Sequence, residues 1–127
     1  MNDSRVSAPV ALIVDDNPVI REVLRLRMER LGWLVTEAAD ASSGLRAFRS
    51  CKPRLVTLDL IMPINDGVGA VELAKAITDE SPRTTLVVLS GFAGDQEVSN
   101  FFRKHRIALL SKNGRAMDEL FAFLDRD

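Results

Sequence analysis

Chemically active side chains stand at the ends of several short apolar runs in this sequence. They comprise three carboxylates, one hydroxyl and one ammonium group: Asp15, Asp16, Asp59, Ser90 and Lys112. Crowded carboxylates repel one another, so a hard divalent cation such as Mg²⁺ would neutralise them. A carboxylate beside Mg²⁺ is a competent nucleophile towards phosphorus, and ammonium and hydroxyl groups can stabilise the phosphoryl oxygens. These residue types predict phosphoryl chemistry if the fold brings them together.

The apolar runs predict β-strands. Each has four or five residues, most are rich in Val, Ile or Leu, and they lie at residues 10–14, 33–37, 55–58, 85–89 and 107–110. Nearly continuous hydrophobicity is typical of strands that are covered on both faces. The second run is more mixed, which predicts a position nearer the edge of a sheet.

The segments between the runs have apolar residues at helical spacing. Asn17 and Pro18 predict the cap and first residue of one helix, and Gly32 predicts its end. Pro53 and Pro82 close the second and third predicted helices. Similar spacing predicts two more helices, at residues 98–102 and 117–124.

Five strands that alternate with five helices predict an α/β fold, a (βα)5 doubly wound parallel sheet with helices on both faces. Ligands of such sheets bind outside the carboxyl ends of the strands. If the strand order is 2-1-3-4-5, strands 1, 3, 4 and 5 are consecutive neighbours. The five polar residues then converge on one rim.

Composition narrows the class of protein. The 127 residues carry a net charge of −1, with 46% hydrophobic and 28% charged residues, which is typical of one globular domain, predicted here as residues 1–127. The small net charge argues against DNA or membrane surfaces as partners of this domain by itself. The apolar runs are too short to span a bilayer, and residues 1–8 contain no secretory signal. A single cysteine and a single histidine argue against a disulfide or zinc site and favour the cytoplasm.

Four motifs in order resemble the receiver domain of bacterial two-component response regulators. They are Leu-Ile-Val-Asp-Asp at 12–16, Leu-Asp-Leu-Ile-Met-Pro-Ile-Asn-Asp-Gly at 58–67, Val-Leu-Ser-Gly at 88–91 and Ser-Lys at 111–112. The resemblance covers about residues 9–125. It implies the flavodoxin-like receiver fold with strand order 2-1-3-4-5. It also implies a switch that catalyses its own phosphorylation and dephosphorylation rather than a metabolic enzyme.

The resemblance also implies roles for individual residues. Asp59 would accept a phosphoryl group from a histidine kinase or a histidine phosphotransfer protein. Asp16 would bind Mg²⁺ (or Mn²⁺) directly, Asp15 would hold it through water or orient it, and the carbonyl of Ile61 would be a further ligand. Ser90 and Lys112 would contact the phosphoryl oxygens. Pro63 and Gly67 would shape the loop after the third strand, and an unknown protein would receive the signal.

Two positions depart from the family pattern. Family members usually have proline after the lysine, with a cis peptide bond; here Asn113 follows Lys112, and a cis bond there would cost about 3 kcal/mol. Family members usually have Tyr or Phe three residues before the lysine, where this sequence has Leu109. The phosphorylation chemistry is expected to survive both changes, whereas the usual aromatic switch is absent.

Two other functions compete with this interpretation. One is a scaffold that binds partners without phosphorylation. The other is a phosphatase that uses Asp59 as a covalent intermediate, but the haloacid-dehalogenase type would need an acid two residues later, where Ile61 stands. That isoleucine also suggests that attacking water is restricted and that phospho-Asp59 is long-lived.

The first predicted helix is rich in charge. It carries Arg21, Arg25, Arg27 and Arg30 beside Glu22 and Glu29. The simpler interpretation is a solvated face with pairs at i,i+3 and i,i+4 spacing. The alternative is that part of the helix docks the phosphodonor protein.

Overall fold

A computed structural model describes residues 8–64, 67–90, 108–111 and 122, with Ser90 and residues 108–111 described by their backbone. These residues form five strands and three helices: β1 Val10–Val14, α1 Pro18–Arg30, β2 Leu34–Ala38, α2 Ala41–Cys51, β3 Leu55–Asp59, α3 Ala70–Glu80, β4 Thr85–Ser90 and β5 Ala108–Ser111. The two helices predicted at 98–102 and 117–124 lie outside the described residues.

The strands form one parallel sheet in the order β2-β1-β3-β4-β5. This confirms the predicted fold class and strand order. The first strand is confirmed at its predicted bounds, and the second and fifth are shifted by one residue. The third and fourth strands each continue one residue further, to Asp59 and Ser90. The mixed second strand lies at an edge of the sheet, as its polarity predicts.

Both faces of β1 and β3 are buried, and successive side chains of each strand point to opposite faces. In β1, Leu12 and Val14 join a core with α2 and α3, whereas Ala11 and Ile13 join a second core with α1. All four are fully buried. The continuous apolar character of the strands therefore reflects helices packed on both sides.

The first helix begins where the sequence predicts. The Asn17 side chain accepts hydrogen bonds from the backbone N–H groups of Val19 and Ile20 at 2.9 and 3.3 Å. Pro18 occupies the first helical position, where its missing N–H removes no helical hydrogen bond. The helix ends at Arg30, and Gly32 follows with φ +96°, a conformation that glycine adopts without strain.

Helix α2 lies unusually close to β1 at Gly44. A Cβ atom at this position would lie 3.0 Å from both γ-carbons of Val14 and 3.1 Å from Cδ2 of Leu73. Val14 and Leu73 are fully buried, and the β-branched valine has little rotamer freedom. The absence of a side chain at Gly44 therefore lets α2 pack against β1 and α3.

No helix within the described parts of the chain is long and apolar enough to cross a membrane.

Gly44→Ala is expected to destabilise the protein by about 1 kcal/mol. Overpacking a rigid core costs about 1–3 kcal/mol, and the better helix propensity of alanine returns about 0.5–1 kcal/mol. Urea denaturation measures the change. Ser50→Ala and Ser50→Gly, at an exposed position of the same helix, give the propensity difference without the contact. A Gly44→Ala protein more stable than wild type would contradict the close packing.

Glu80→Gln is expected to lower the Tm at neutral pH and to have no effect in acid. Glu80 at the end of α3 pairs with Arg49 of α2, with Nη2 and Oε2 2.7 Å apart, and a hydrogen bond from Arg49 lowers the pKa of Glu80. A carboxylate with a lowered pKa in the folded state stabilises the fold above its unfolded pKa. That contribution is lost as the pH falls through the folded pKa.

The effect of Glu80→Gln is expected to be small and to shrink in high salt, because the Arg49 and Glu80 side chains are 56% and 41% exposed. Thermal unfolding from neutral pH to acid measures it. Asp79→Asn makes the same change of charge at the adjacent exposed residue, and an equal effect of that variant would argue against the ion pair.

Candidate functional site

The register of the sheet places the predicted polar residues at one rim. Val14, the last residue of β1, pairs with Leu58, so Asp15, which follows β1, and Asp59, which ends β3, are neighbours at the carboxyl end of the sheet. On the other side, Asp59 pairs with Leu89 of β4. Ser90 follows Leu89 and pairs with Ser111 of β5. The strand ends therefore converge as the order 2-1-3-4-5 requires.

Asp15 is 1% exposed and its backbone is held on two sides. Its N–H donates to the carbonyl of Ala38 at 3.1 Å, and its own carbonyl accepts from Arg21 Nη1 at 2.7 Å. Its carboxylate Oδ1 accepts from the N–H of Asn17 at 2.9 Å. These contacts set both the peptide orientation and the side-chain rotamer of a buried acid.

Asp59, at the end of β3, is 3% exposed. The N–H of Ile61 donates to its Oδ1 at 3.1 Å, so the loop after β3 orients the carboxylate. The next residue, Leu60, donates its N–H to the carbonyl of Leu89 at 3.0 Å, which extends the β3–β4 pairing past the strand end. The side chain of Ile61 is 57% exposed and stands beside this acid in the chain.

The three acids form a cluster of oxygen ligands. Asp15, Asp16 and Asp59 each offer a carboxylate oxygen, and these atoms all lie within 4.8 Å of one another. Asp16 is exposed, whereas the other two residues are buried. Mg²⁺ binds oxygen at about 2.1 Å, which sets ligand oxygens about 3–4 Å apart. The donor set and its spacing therefore fit Mg²⁺, or Mn²⁺, with water or carbonyl oxygens completing the shell.

The loop between β3 and α3 has the backbone conformation that its glycine predicts. Gly67 has φ +73°, in the region that favours glycine. Helix α3 then begins after Gly69, whose N–H donates to Oε1 of Glu72 at 2.9 Å. The start of α3 is thus defined by a hydrogen bond within its own first turn.

Other predicted site residues are described in part or not at all. The backbone of Ser90 lies on β4 at the same rim, and the backbone of Leu109 pairs with Val88. Their side chains lie outside the described parts of the structure, and so do Lys112 and Asn113. The roles of Ser90 and Lys112 stay predictions, and Lys112 follows Ser111, the residue that pairs with Ser90.

Arg21 and Glu37 also belong to this region, although no sequence motif points to them. Arg21 lies among the charged residues of α1, yet it contacts the Asp15 carbonyl and pairs with Glu37, with Nε and Oε1 3.2 Å apart. The predicted pairing within α1 is present for Arg25, which lies 3.3 Å from Glu29 and 4.0 Å from Glu22. No sequence signal marks a contact between residues 16 positions apart.

Cys51 lies half-buried at the end of α2, and burial raises the pKa of its thiol, which disfavours the nucleophilic thiolate.

A parallel sheet of this order with three acids at its carboxyl rim defines the class of phosphoacceptor receiver domains. The family model described as "Response regulator receiver domain" matches residues 11–125. The chain therefore belongs to the receiver domain family of two-component response regulators.

Individual relatives agree with this assignment. The transcriptional regulatory protein CseB of Streptomyces avermitilis is 40% identical over 87 residues, covering 68% of this chain and 35% of CseB. The probable transcriptional regulator ycf27 of Porphyridium aerugineum is 35% identical over 119 residues, covering 85% of this chain and 49% of that protein. The chain thus spans about a third to a half of these relatives.

Solved structures agree as well. A CheY-like response regulator receiver domain protein from Methanospirillum hungatei superimposes with a TM-score of 0.81 at 26% identity, covering 94% of each chain. The signal receiver domain of an HD domain-containing protein from Pseudomonas fluorescens gives a TM-score of 0.76, also at 26% identity and 94% coverage of each chain.

Asp16→Asn is expected to raise the Tm in the absence of metal and to abolish stabilisation by Mg²⁺. Removing one of three crowded carboxylates relieves repulsion, and it also removes a ligand. At a Mg²⁺ concentration ten times the Kd, the wild-type protein should gain about 1.4 kcal/mol. Thermal unfolding in EDTA and in Mg²⁺ measures both effects.

The control is Asp79→Asn, which makes the same change of charge at an exposed residue of α3. It should keep the response to Mg²⁺. Equal Mg²⁺ stabilisation of wild type and Asp16→Asn would contradict a metal site at Asp16.

Proposed function

We propose that this receiver domain accepts a phosphoryl group on Asp59 in a Mg²⁺-dependent reaction and signals by protein–protein contact. The observation that carries the proposal is the cluster of Asp15, Asp16 and Asp59, whose carboxylate oxygens lie within 4.8 Å at the carboxyl end of the sheet. The donor is a phosphohistidine of a histidine kinase or a histidine phosphotransfer protein. Membership of the receiver family supports this assignment.

Asp59 is the proposed acceptor because it ends the central strand β3 and its carboxylate is oriented by the Ile61 N–H. One carboxylate oxygen forms a bond to phosphorus as the phosphorus–nitrogen bond to the donor histidine breaks. The bonding electron pair leaves with the imidazole, and Asp59 becomes an acyl phosphate. Burial of Asp59 limits the access of water to this carboxylate.

Metal binding is assigned to the residues around Asp59. Asp16 is exposed and could meet a hydrated ion, whereas buried Asp15 would hold or orient it. The Asp59 carboxylate and, as the family resemblance implies, the Ile61 carbonyl would be further ligands. When bound, Mg²⁺ neutralises the carboxylates and the developing charge on the phosphoryl oxygens. Ser90 and Lys112 are proposed to contact those oxygens.

We propose that the phosphorylation signal is transmitted without an aromatic switch at the fifth strand. Leu109 lies on β5, where the family usually has Tyr or Phe, and it pairs with Val88. A population shift between two states of the chain after Ser90 could transmit the signal instead.

The downstream and upstream partners are proposals as well. CseB is named a transcriptional regulatory protein, and another relative, LuxN of Vibrio harveyi, is named an autoinducer 1 sensor kinase/phosphatase. LuxN is 31% identical over 91 residues that make up 10% of its length. These two relatives are named for different activities, so we propose an output protein of unassigned type. Cytoplasmic location and the lack of nucleic-acid or membrane contact stay predictions.

The two competing functions have less support. A phosphatase of the haloacid-dehalogenase type needs an acid at position 61, where this chain has Ile61, whose N–H holds Asp59. A scaffold that works without phosphorylation does not require the cluster of Asp15, Asp16 and Asp59. The departures at Leu109 and Asn113 are the features compatible with that scaffold.

Incubation with acetyl phosphate is expected to add the mass of one phosphoryl group to the protein. The gain should require both Mg²⁺ and Asp59, because the metal offsets the charge of the acids and Asp59 supplies the nucleophile. Intact-protein mass spectrometry of wild type and Asp59→Asn, with and without Mg²⁺, measures it. No gain either here or with a phosphorylated histidine phosphotransfer protein would favour the scaffold.

Phospho-Asp59 is expected to be long-lived, and Ile61→Asn to shorten its lifetime severalfold. A branched apolar side chain beside the acceptor restricts attacking water, whereas a polar amide can hydrogen-bond it. The decay of phosphoprotein without added phosphatase, followed by mass spectrometry, gives both lifetimes. Ile64→Asn, at an exposed position of the same loop, is the control. Rapid decay of the wild-type phosphoprotein would overturn the idea.

A further inference from the structure

The Arg21 side chain joins α1, β2 and the loop that follows β1. Its Nη1 donates to the backbone carbonyl of Asp15 at 2.7 Å, and its Nε donates to Glu37 Oε1 at 3.2 Å. The side chain is 19% exposed, so solvent screens these contacts only in part. The planar guanidinium makes both contacts at once, which fixes its orientation.

Glu37 is held from a second direction. Its other oxygen, Oε2, lies 3.1 Å from Nε of Arg25, one turn further along α1. Each carboxylate oxygen of Glu37 is therefore engaged by a different arginine. The contact of Oε1 with Arg21 is thus separate from the contact of Oε2 with Arg25.

The hydrogen bond from Arg21 to the Asp15 carbonyl affects the positions of both Asp15 and Asp16. The Asp15 carbonyl and the Asp16 nitrogen belong to one planar peptide unit. A hydrogen bond to that oxygen therefore sets the direction in which the chain enters Asp16. Because Asp15 N–H is also bound, to the Ala38 carbonyl, the orientation of the acidic pair depends on the contacts at both ends of Asp15.

We propose that Arg21, oriented by Glu37, is a positioning residue that holds Asp15 and Asp16 in the geometry for a divalent cation. This inference rests on the proposed function in one respect, that the acids bind Mg²⁺. Arg21 acts through the backbone of Asp15. Glu37 offsets the positive charge of Arg21, which would otherwise oppose a cation nearby.

The sign of the effect distinguishes positioning from simple electrostatics. Removing a positive charge close to three carboxylates should, by Coulomb attraction alone, strengthen Mg²⁺ binding. Loss of positioning should weaken it. Arg21→Met keeps the apolar stem and removes both the charge and the donors, so the two accounts predict opposite changes.

The experiment is a calorimetric titration with Mg²⁺ of metal-free wild type, Arg21→Met, Arg21→Lys and Arg25→Met. Arg21→Met is expected to raise the Kd for Mg²⁺ about tenfold, the effect typical of groups that orient metal ligands. Arg21→Lys keeps the charge but cannot make both contacts with one planar group, so its Kd should lie between those of Arg21→Met and wild type. Arg25→Met, which loses the contact to Glu37 but none to Asp15, should bind Mg²⁺ within twofold of wild type.

A second readout follows the backbone directly. Amide hydrogen exchange at Asn17, whose N–H donates to Asp15 Oδ1, should be faster in metal-free Arg21→Met than in Arg25→Met. Thermal unfolding in EDTA checks that both variants are folded at the temperature of titration. A variant that only loses stability would exchange faster at core amides as well as at Asn17, and it would bind Mg²⁺ with unchanged affinity while folded.

Unchanged or tighter Mg²⁺ binding by folded Arg21→Met, with wild type binding normally, would overturn the positioning role and leave the proposed metal site intact. Failure of wild type to bind Mg²⁺ would overturn the metal site and, with it, this inference. An equal loss of affinity in Arg25→Met would also overturn it, because that variant keeps the contact of Arg21 with the Asp15 carbonyl.

Discussion

Three carboxylates share one end of a parallel sheet, and their mutual repulsion is the constraint on which the rest of the structure depends. Asp15 and Asp59 are buried, so water screens them poorly, and Asp16 stands beside them at the surface. Burying charge is costly unless the charge is paired, hydrogen-bonded or bound to a metal. Backbone N–H groups of Asn17 and Ile61 donate hydrogen bonds to Asp15 and Asp59, and the three acids together can bind a divalent cation.

The sheet meets the constraint by its register. Val14 pairs with Leu58 and Asp59 with Leu89, so the acids are placed by hydrogen-bonded strands whose side chains are buried on both faces. A shift of one residue would move every side chain of a strand to the opposite face. At Gly44, α2 packs closely against Val14, the residue before Asp15.

Two ion pairs outside the acidic cluster have different surroundings. Arg21 donates a hydrogen bond to the Asp15 carbonyl, and the carboxylate of Glu37 offsets the positive charge of its guanidinium. Arg21 can therefore orient the Asp15 backbone without strongly repelling a metal ion at the acidic cluster. Arg49 and Glu80 form another ion pair, between α2 and α3. The Arg21–Glu37 pair is less exposed than the Arg49–Glu80 pair. This agrees with a role of Arg21 in positioning the Asp15 backbone and with a modest contribution of the Arg49–Glu80 pair to stability.

Much of the fold and of the candidate site could be predicted from the sequence, because the signals are local. Three features depend on neighbouring residues alone. They are the apolar runs of strands that are buried on both faces, the helix start at Asn17-Pro18 and the turn at Gly67. The acids at the strand ends followed from those runs and the general rule for parallel sheets. Their order along the chain also carried the resemblance to receiver domains.

The tertiary structure decided which charges meet. Arg21 and Glu37 are 16 residues apart, and no periodicity within α1 distinguishes Arg21 from Arg25, which pairs with Glu29 within the helix. Their contact arises because β2 pairs with β1 in one register, with Glu37 opposite Ile13, and α1 packs over that pair. The sequence by itself determined the residue types and their places at strand and helix ends, since these depend on local interactions. The distances among the acids, their burial and the contact of Arg21 with Asp15 depend on how distant segments pack, which only the folded chain specifies.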